Sequence, residues 1–200
     1  MYEVSGDTGL TATSFDPGTS LLVTGERHAT HALVVDLLAD GVEASETSIL
    51  VTTNSGASSG VEAFERRGTL APERVGIIDC TARESNEAET DVPVRYLGSP
   101  GDLTGISLEF AKLVKGLGDA NGLRVGVSTV STILMYADAE TVFRFLHVFT
   151  SRIRSGGWFG TFSLDPDMHD PQTVNTIRAV FDSEARITDD GVELRGEGFD

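Results

Sequence analysis

The chain has 200 residues, 40% of them hydrophobic, and its single cysteine, Cys80, excludes an intrachain disulfide. It carries 31 acidic residues against 15 basic ones, a formal charge of −16, and its lysines are Lys112 and Lys115 alone. A field of this sign repels phosphate backbones and anionic membranes, so we expect neither a nucleic acid nor a membrane as partner.

The distribution of the acidic residues favours adaptation to a salt-rich cytosol. They are spread along the whole chain rather than gathered in one tail. Self-repulsion is weak in such a cytosol, because the Debye length is only about 3 Å in 1 M salt. The alternative is an acidic protein with a cationic partner, which would show one coherent acidic face. The lone cysteine, the absence of a long apolar run and the polar first residues favour a cytoplasmic location.

Strand-like and helix-like segments alternate through the first half of the chain. Short apolar runs predict the strands, and apolar stripes with helical spacing, each followed by a glycine, predict the helices. The predicted strands are 20–24, 47–52, 74–79 and 94–97, and the predicted helices are 32–40 and 59–67. The polar segment 81–93 has no periodicity and is predicted to be a loop.

The second half continues the alternation and ends in a hairpin. Its predicted helices are 104 to about 117, 139–154 and 173–182, and its predicted strands are 123–130, 158–164, 185–188 and 192–195. Phe143 and Val148 widen the apolar face of the long helix 139–154, which suggests contact with more than one neighbour. Strands separated by helices predict one α/β domain over 1–200 with a mostly parallel sheet, a core at about 18–185, a short N-terminal arm and a C-terminal β-hairpin.

The segment between the first strand and its helix occupies the place of a phosphate-binding loop. Gly25 to Ala32 has the length of the pattern G-x-x-x-x-G-K-[ST], with the first glycine in position. Thr30, His31 and Ala32 replace the second glycine, the lysine and the hydroxyl residue that binds Mg²⁺. These replacements obstruct the turn, remove the cation and remove the metal ligand. We therefore expect a degenerate site that does not bind nucleotide.

The fourth core strand lacks a catalytic carboxylate as well. In a P-loop ATPase this strand ends in an aspartate that orders Mg²⁺ and water. Here Val125-Gly126-Val127 is followed by Ser128. No catalytic residue is therefore assigned, and we expect the chain not to be an enzyme.

A cluster of carboxylates and one histidine follows the fifth core strand. Asp165, Asp167 and His169 could supply oxygen and nitrogen ligands to a metal ion. The same segment also carries helix-start signals, because Asp170 followed by Pro171 suits an N-cap and a first-turn proline. The structural explanation is favoured, so no metal is predicted.

Several stretches together resemble the haloarchaeal RecA/KaiC-like proteins, relatives of the RecA-superfamily ATPases. They lie in this order over roughly residues 18–185: Thr24 to Leu33, Ser99 to Ile106, Val125 to Tyr136, Val142 to Val148, Leu164-Asp165-Pro166 and Met168-His169-Asp170. The resemblance implies a RecA-like three-layer fold. The nucleotide-binding and catalytic roles known in RecA and KaiC relatives would fall on His31, Ala32 and Ser128, which lack the required chemistry.

Two functions follow as expectations. The first is a non-catalytic RecA/KaiC-like module, a pseudo-ATPase without cofactor, that acts through protein–protein contact in regulation or signalling. Its partner would be another protein or a second copy in a homo-oligomer. The alternative is a nucleotide-binding protein or weak ATPase that holds ATP with Mg²⁺ on an atypical P-loop.

Overall fold

The computed structural model describes residues 1–81, 90–119 and 121–200. The strands are β1 Tyr2–Glu3, β2 Ser14–Phe15, β3 Ser20–Thr24, β4 Thr47–Thr52, β5 Val75–Asp79, β6 Val94–Tyr96, β7 Leu123–Val127, β8 Phe159–Leu164, β9 Ser183–Thr188 and β10 Gly191–Gly196. The helices are α1 Arg27–Glu43, α2 Ala57–Arg66, α3 Leu103–Leu117, α4 Val130–Tyr136, α5 Ala139–Gly156 and α6 Pro171–Arg178. Short 3-10 turns cover Gly6–Thr8 and Pro166–Met168. Most of the predicted loop 81–93 lies outside the described residues.

The central sheet has eight strands in the spatial order β10-β9-β3-β8-β7-β4-β5-β6. Every neighbouring pair from β9 to β6 is parallel, and β10 alone runs antiparallel, against β9. The predicted mostly parallel sheet and C-terminal hairpin are therefore confirmed. Buried runs such as Leu21-Leu22-Val23 are apolar throughout because both faces of a parallel sheet are covered.

Helices cover both faces of the sheet, which confirms the three-layer α/β arrangement. One apolar cluster joins the sheet to α1 and α2, and the other joins it to α3, α4, α5 and α6. The N-terminal arm packs on the α1 side, where the rings of Tyr2 and Phe15 stack on Phe159 at centroid distances of 5.9 and 4.7 Å. Among the described residues, no helix combines the length and the apolarity that crossing a bilayer requires.

Several element boundaries differ from the sequence predictions, and three of these differences have a clear local cause. Helix α1 begins at Arg27 rather than residue 32, because Glu26 caps it. Helix α3 begins at Leu103 because Asp102, not Thr104, is its N-cap and accepts a hydrogen bond from the Gly105 N–H at 2.8 Å. The predicted strand 123–130 ends at Val127, and Val130–Tyr136 forms α4 instead. In each case a side-chain cap sets the boundary.

Candidate functional site

The segment predicted to form a degenerate phosphate loop is mostly helix. Strand β3 ends at Thr24 and α1 begins at Arg27, so only Gly25 and Glu26 connect them. Gly25 has a φ of +145°, and a Cβ there would lie 3.1 Å from the Cβ and the carbonyl oxygen of Ile187. The tight connection therefore requires glycine for a structural reason that involves no phosphate.

Glu26 occupies the place that an anion would take at the start of α1. Its carboxylate accepts hydrogen bonds from the backbone N–H groups of His28 at 3.0 Å and Ala29 at 3.2 Å. These two hydrogen bonds hold the pKa of the exposed Glu26 carboxyl below its usual value. Free N–H groups at a helix N-terminus are what binds phosphate in nucleotide-binding loops. Here the chain supplies its own carboxylate to them.

The other three residues of the predicted site lie inside α1. Thr30 is buried, and its hydroxyl donates a hydrogen bond to the Arg27 carbonyl at 3.0 Å. His31 is partly buried, and Ala32, the next residue of the helix, is exposed. The assignment of Gly25, Thr30, His31 and Ala32 to one loop is thus corrected, since Gly25 precedes the helix and the others belong to it.

Ser128 and Thr129 link β7 to α4. Thr129 caps α4 by accepting a hydrogen bond from the Ser131 N–H at 3.2 Å. The Ser128 hydroxyl oxygen accepts from the Thr53 N–H at 3.2 Å and lies 3.3 Å from Asn54 Oδ1, to which it donates. Both side chains therefore tie the end of β7 to α4 and to the chain that leaves β4.

The proposed metal ligands after β8 do not converge. Asp165 caps the turn Pro166–Met168 by accepting a hydrogen bond from the Asp167 N–H at 3.1 Å. Asp170 caps α6, as its sequence pattern indicated, and accepts from the Thr173 N–H at 2.9 Å. Within residues 1–81, 90–119 and 121–200, no group of three or more His, Cys, Asp or Glu side chains could hold a metal ion. The candidates Asp165, Asp167 and His169 form no such group.

A well-formed cleft lies at the carboxyl edge of the sheet, above β4 and β5. Its volume is about 560 Å³, and Tyr136 at the end of α4 forms part of its wall. Strand β4 leads through α2 to β5 on one side, whereas its neighbour β7 leads through α4 and α5 to β8 on the other. The cleft therefore lies beside a topological switch point, where open α/β sheets commonly bind ligands.

Hydroxyl groups dominate the lining of this cleft. They come from Thr53, Ser58, Ser59, Thr81, Ser99 and Thr132. Asn54 adds an amide, and the backbone at Gly56 begins α2 without a side-chain cap. The described lining contains no Lys, Arg or His, so it offers hydrogen bonds without a cationic side chain.

Asp79 is the carboxylate of the cleft, and its oxygens already have partners. Oδ2 accepts from the Ala57 N–H at 2.7 Å, and Oδ1 accepts from the N–H and the hydroxyl of Thr81 at 2.8 and 2.7 Å. Asp79 therefore joins the start of α2 to the segment after β5. Cys80 beside it is fully buried, and burial, reinforced by the charges of Asp79 and Asp102, raises the pKa of its thiol to about 12. A thiol in that state is a poor nucleophile.

The sequence interpretation missed this cleft as a site. In the sequence predictions residues 59–67 form a helix and residues 74–79 a strand, and no functional residue is assigned to either segment. The available signal was that polar residues directly follow both β4 and β5, whose carboxyl ends meet at one edge of the sheet.

His31 makes the stability of the folded chain depend on pH. Its Nδ1 is buried and has no hydrogen-bond partner within the described part of the chain. Burial, with smaller contributions from His28 and Arg66, lowers the pKa of His31. Below pH about 6.5 the unfolded chain takes up a proton at His31 more readily than the folded chain does, so stability falls as the pH falls through this range.

We expect His31→Gln to lose less stability than the wild type between pH 7 and pH 5. The measurement is chemical unfolding in molar KCl at both pH values. His147→Gln, which replaces an exposed histidine on α5, is the matched control and should follow the wild type. Equal losses in His31→Gln and the wild type would contradict the assignment.

Comparisons with known proteins agree with the fold. A solved structure of a protein from Pyrococcus horikoshii OT3, the subject of a structural study, superposes with a TM-score of 0.63. The two share 14% sequence identity, and the match covers 92% of this chain and 88% of that one. At that identity the likeness concerns the fold alone. No curated protein matches the sequence.

A family profile matches most of the chain. It is described as a family of unknown function (DUF7504), and it covers residues 18–187. The chain therefore belongs to the DUF7504 family.

Proposed function

We propose that the chain is a non-catalytic RecA/KaiC-like module that acts through protein–protein contact, in regulation or signalling. The observation that carries the proposal is Glu26. Its carboxylate accepts hydrogen bonds from two backbone N–H groups at the start of α1, where a nucleotide-binding relative would hold phosphate. A bound phosphate would have to displace this carboxylate and overcome its charge.

The end of β7 supports the same proposal. A Mg²⁺-dependent hydrolase needs a carboxylate there, and the chain has Ser128 and Thr129, whose side chains hold neighbouring segments. The phosphate-binding group and the metal-orienting group are thus both replaced by residues with structural roles.

Exposed apolar side chains on one helical layer support a role in protein contact. Leu108 on α3, Met135 and Tyr136 on α4, and Val148 on α5 are 53, 69, 60 and 67% exposed. The helices are neighbours, since Phe110 of α3 packs against Phe149 of α5 at 4.9 Å between ring centroids. Contiguous exposed apolar patches mark interaction surfaces, and these side chains are the ones on this layer that could form one.

The cleft favours the alternative, a nucleotide-binding protein or weak ATPase. A volume of about 560 Å³ at a switch point is large enough for a small ligand. Tyr136 could stack on a base, whereas the start of α2 is already occupied by the Asp79 carboxylate, which accepts from the Ala57 N–H. The lack of a cationic side chain in the described lining weighs against a triphosphate.

Calorimetric titration with Mg-ATP and Mg-GTP in molar KCl tests the proposal. We expect no heat beyond dilution from the wild type. We expect none from Thr30→Gly/His31→Lys/Ala32→Thr either, because those positions lie within α1 while Glu26 still caps it. Micromolar affinity abolished by His31→Ala would overturn the proposal. Micromolar affinity that survives His31→Ala but is lost in Ser58→Glu would establish the alternative, with the nucleotide in the cleft.

A further inference from the structure

Strand β10 is an open edge of the central sheet. Its six residues, Gly191–Gly196, pair with β9 in one unbroken register and are exposed or half-buried. It contains no proline and no bulge, which are devices that protect edge strands from pairing with another chain. The opposite edge, β6, is only three residues long. The edge suited to accept another strand is therefore β10.

The hairpin geometry determines which backbone groups of β10 point outward. The pair Thr188–Gly191 closes a two-residue turn, so it is a hydrogen-bonded pair. Hydrogen-bonded and non-hydrogen-bonded pairs alternate along an antiparallel ladder, so Glu193 and Arg195 also bond inward to β9. The N–H and C=O groups of Val192, Leu194 and Gly196 therefore face away from β9, at the open edge.

The charged side chains of this hairpin alternate in sign across the strands. Glu193 lies opposite Arg186 of β9, and Arg195 lies opposite Glu184. Along β10 itself, Arg195 Nη2 lies 3.0 Å from Glu193 Oε2. Glu193 and Arg195 stand on the face opposite Val192 and Leu194, which pack against the apolar cluster beneath α1.

This pattern selects one register for pairing with a second copy. A symmetric antiparallel pair centred on Leu194 places Glu193 of each copy opposite Arg195 of the other. The charges would then alternate across four strands, in the order Arg186, Glu193, Arg195 and Glu184. Shifting the centre by one residue, to Glu193 or to Arg195, places like charges directly opposite each other, which is destabilising.

We infer that the chain forms a symmetric dimer in which β10 pairs antiparallel with β10 of a second copy, centred on Leu194. The dimer joins two eight-stranded sheets into one continuous sheet. Each copy carries a charge of −16, so molar salt is needed to screen the repulsion between them. The inference extends the proposed function by naming one contact surface and its partner.

Sedimentation equilibrium in molar KCl tests the dimer with two variants at one position. Leu194→Pro removes the outward N–H of both copies, whereas Leu194→Ala loses comparable side-chain packing and keeps the N–H. We expect a wild-type dimer, a similar dimer for Leu194→Ala, and a dissociation constant raised at least about tenfold for Leu194→Pro, which loses two hydrogen bonds per dimer. A monomeric wild type, or a folded Leu194→Pro that dimerises like the wild type, would overturn the inference.

Cysteine trapping tests the register of the strand pairing. It also tests the dimer independently of Leu194→Pro, in case that variant does not fold. Residues 193 and 195 would face each other across the dimer in non-hydrogen-bonded pairs, with Cα atoms about 4.5 Å apart, within the range for a disulfide. Glu193→Cys/Arg195→Cys should therefore form a covalent dimer under mild oxidation, because two thiols lose two electrons and two protons to the added oxidised glutathione.

Glu193→Cys alone is the matched control for the trapping experiment. In the inferred register its two copies lie diagonally, about 7–8 Å apart, and should remain unlinked. A monomeric double variant, or equal trapping of the single variant, would overturn the inference. Neither result would change the nucleotide titration, so this inference and the proposed function can fail separately.

Discussion

Glu46→Ala is expected to lower the free energy of unfolding by about 3–5 kcal/mol. The reason is Arg124, whose side chain is fully buried in the sheet and whose Nε donates to Glu46 Oε2 at 2.5 Å. Removing Glu46 leaves the guanidinium charge buried without its counter-ion. For a chain of this size the loss corresponds to roughly 6–20 °C in Tm. Chemical unfolding in molar KCl measures it directly.

The other contacts of Arg124 explain why the charge cannot escape to water. Its Nη1 donates to the Leu37 carbonyl of α1 at 2.9 Å, and its Nη2 donates to the Glu3 carbonyl of β1 at 2.8 Å. The guanidinium also lies 5.6 Å from the ring centroid of Tyr2. The side chain thus ties together the sheet, α1 and the N-terminal arm.

Two further variants serve as controls for the Glu46 prediction. Glu140→Ala breaks the exposed pair between Glu140 and Arg144 on α5, which lie 3.2 Å apart, and should cost no more than about 1 kcal/mol. Glu46→Ala/Arg124→Met should recover part of the loss, because no buried charge remains. A cost for Glu46→Ala no larger than that for Glu140→Ala would contradict the prediction.

The melting temperature is expected to climb from dilute buffer to molar KCl. With 31 acidic and 15 basic residues, the folded chain concentrates unbalanced negative charge in a compact volume. Raising the salt to about 1 M shortens the Debye length from roughly 10 Å at 0.1 M to roughly 3 Å and removes most of the repulsion. A gain of about 3 kcal/mol would raise Tm by roughly 6–12 °C.

A thermal melt followed by circular dichroism over a KCl series tests the salt prediction. Sodium sulfate at equal ionic strength is the comparison, because it screens as well and also strengthens apolar burial. A melting temperature that does not change with KCl would remove the interpretation as adaptation to a salt-rich cytosol. It would favour the cationic-partner alternative, in which the acidic charge is local.

The parallel sheet could be predicted from the sequence because its strands are short, uninterrupted apolar runs bounded by glycines or polar residues. The start of α1 could not be predicted, because Glu26 is not among the preferred N-cap residues. Only the structure shows that its carboxylate accepts hydrogen bonds from two backbone N–H groups. The sequence predicts no helix over Val130–Tyr136 and assigns Val130 to a strand, because this short stretch contains the β-branched residues Val130, Thr132 and Ile133. Its cap, Thr129, and its packing against β8 and α5 decide otherwise.

Spatial order was the main information missing from the sequence. Arg124 and Glu46 are 78 residues apart, and nothing in their neighbourhoods indicates a buried ion pair. The cleft could not be predicted for the same reason. Thr53, Asp79 and Thr132 come together only because β4 lies between β5 and β7. Local patterns predict elements, whereas the order of strands in a sheet depends on packing between distant parts of the chain.

The position of β3 in the sheet has a consequence for the kinetics of folding. It is the first strand of the central sheet along the chain, yet it pairs only with β8 and β9. Leu22 can therefore pair only after Phe162 has been synthesised, and Val23 with β9 only after Ala185 has been synthesised. On the ribosome, both edges of β3 stay open until the chain has been extended by about 140 residues, the separation between Leu22 and its partner Phe162. Such long-range pairing slows folding and exposes apolar surface meanwhile. The synthesis of β8 and β9 therefore controls when the sheet can close around β3.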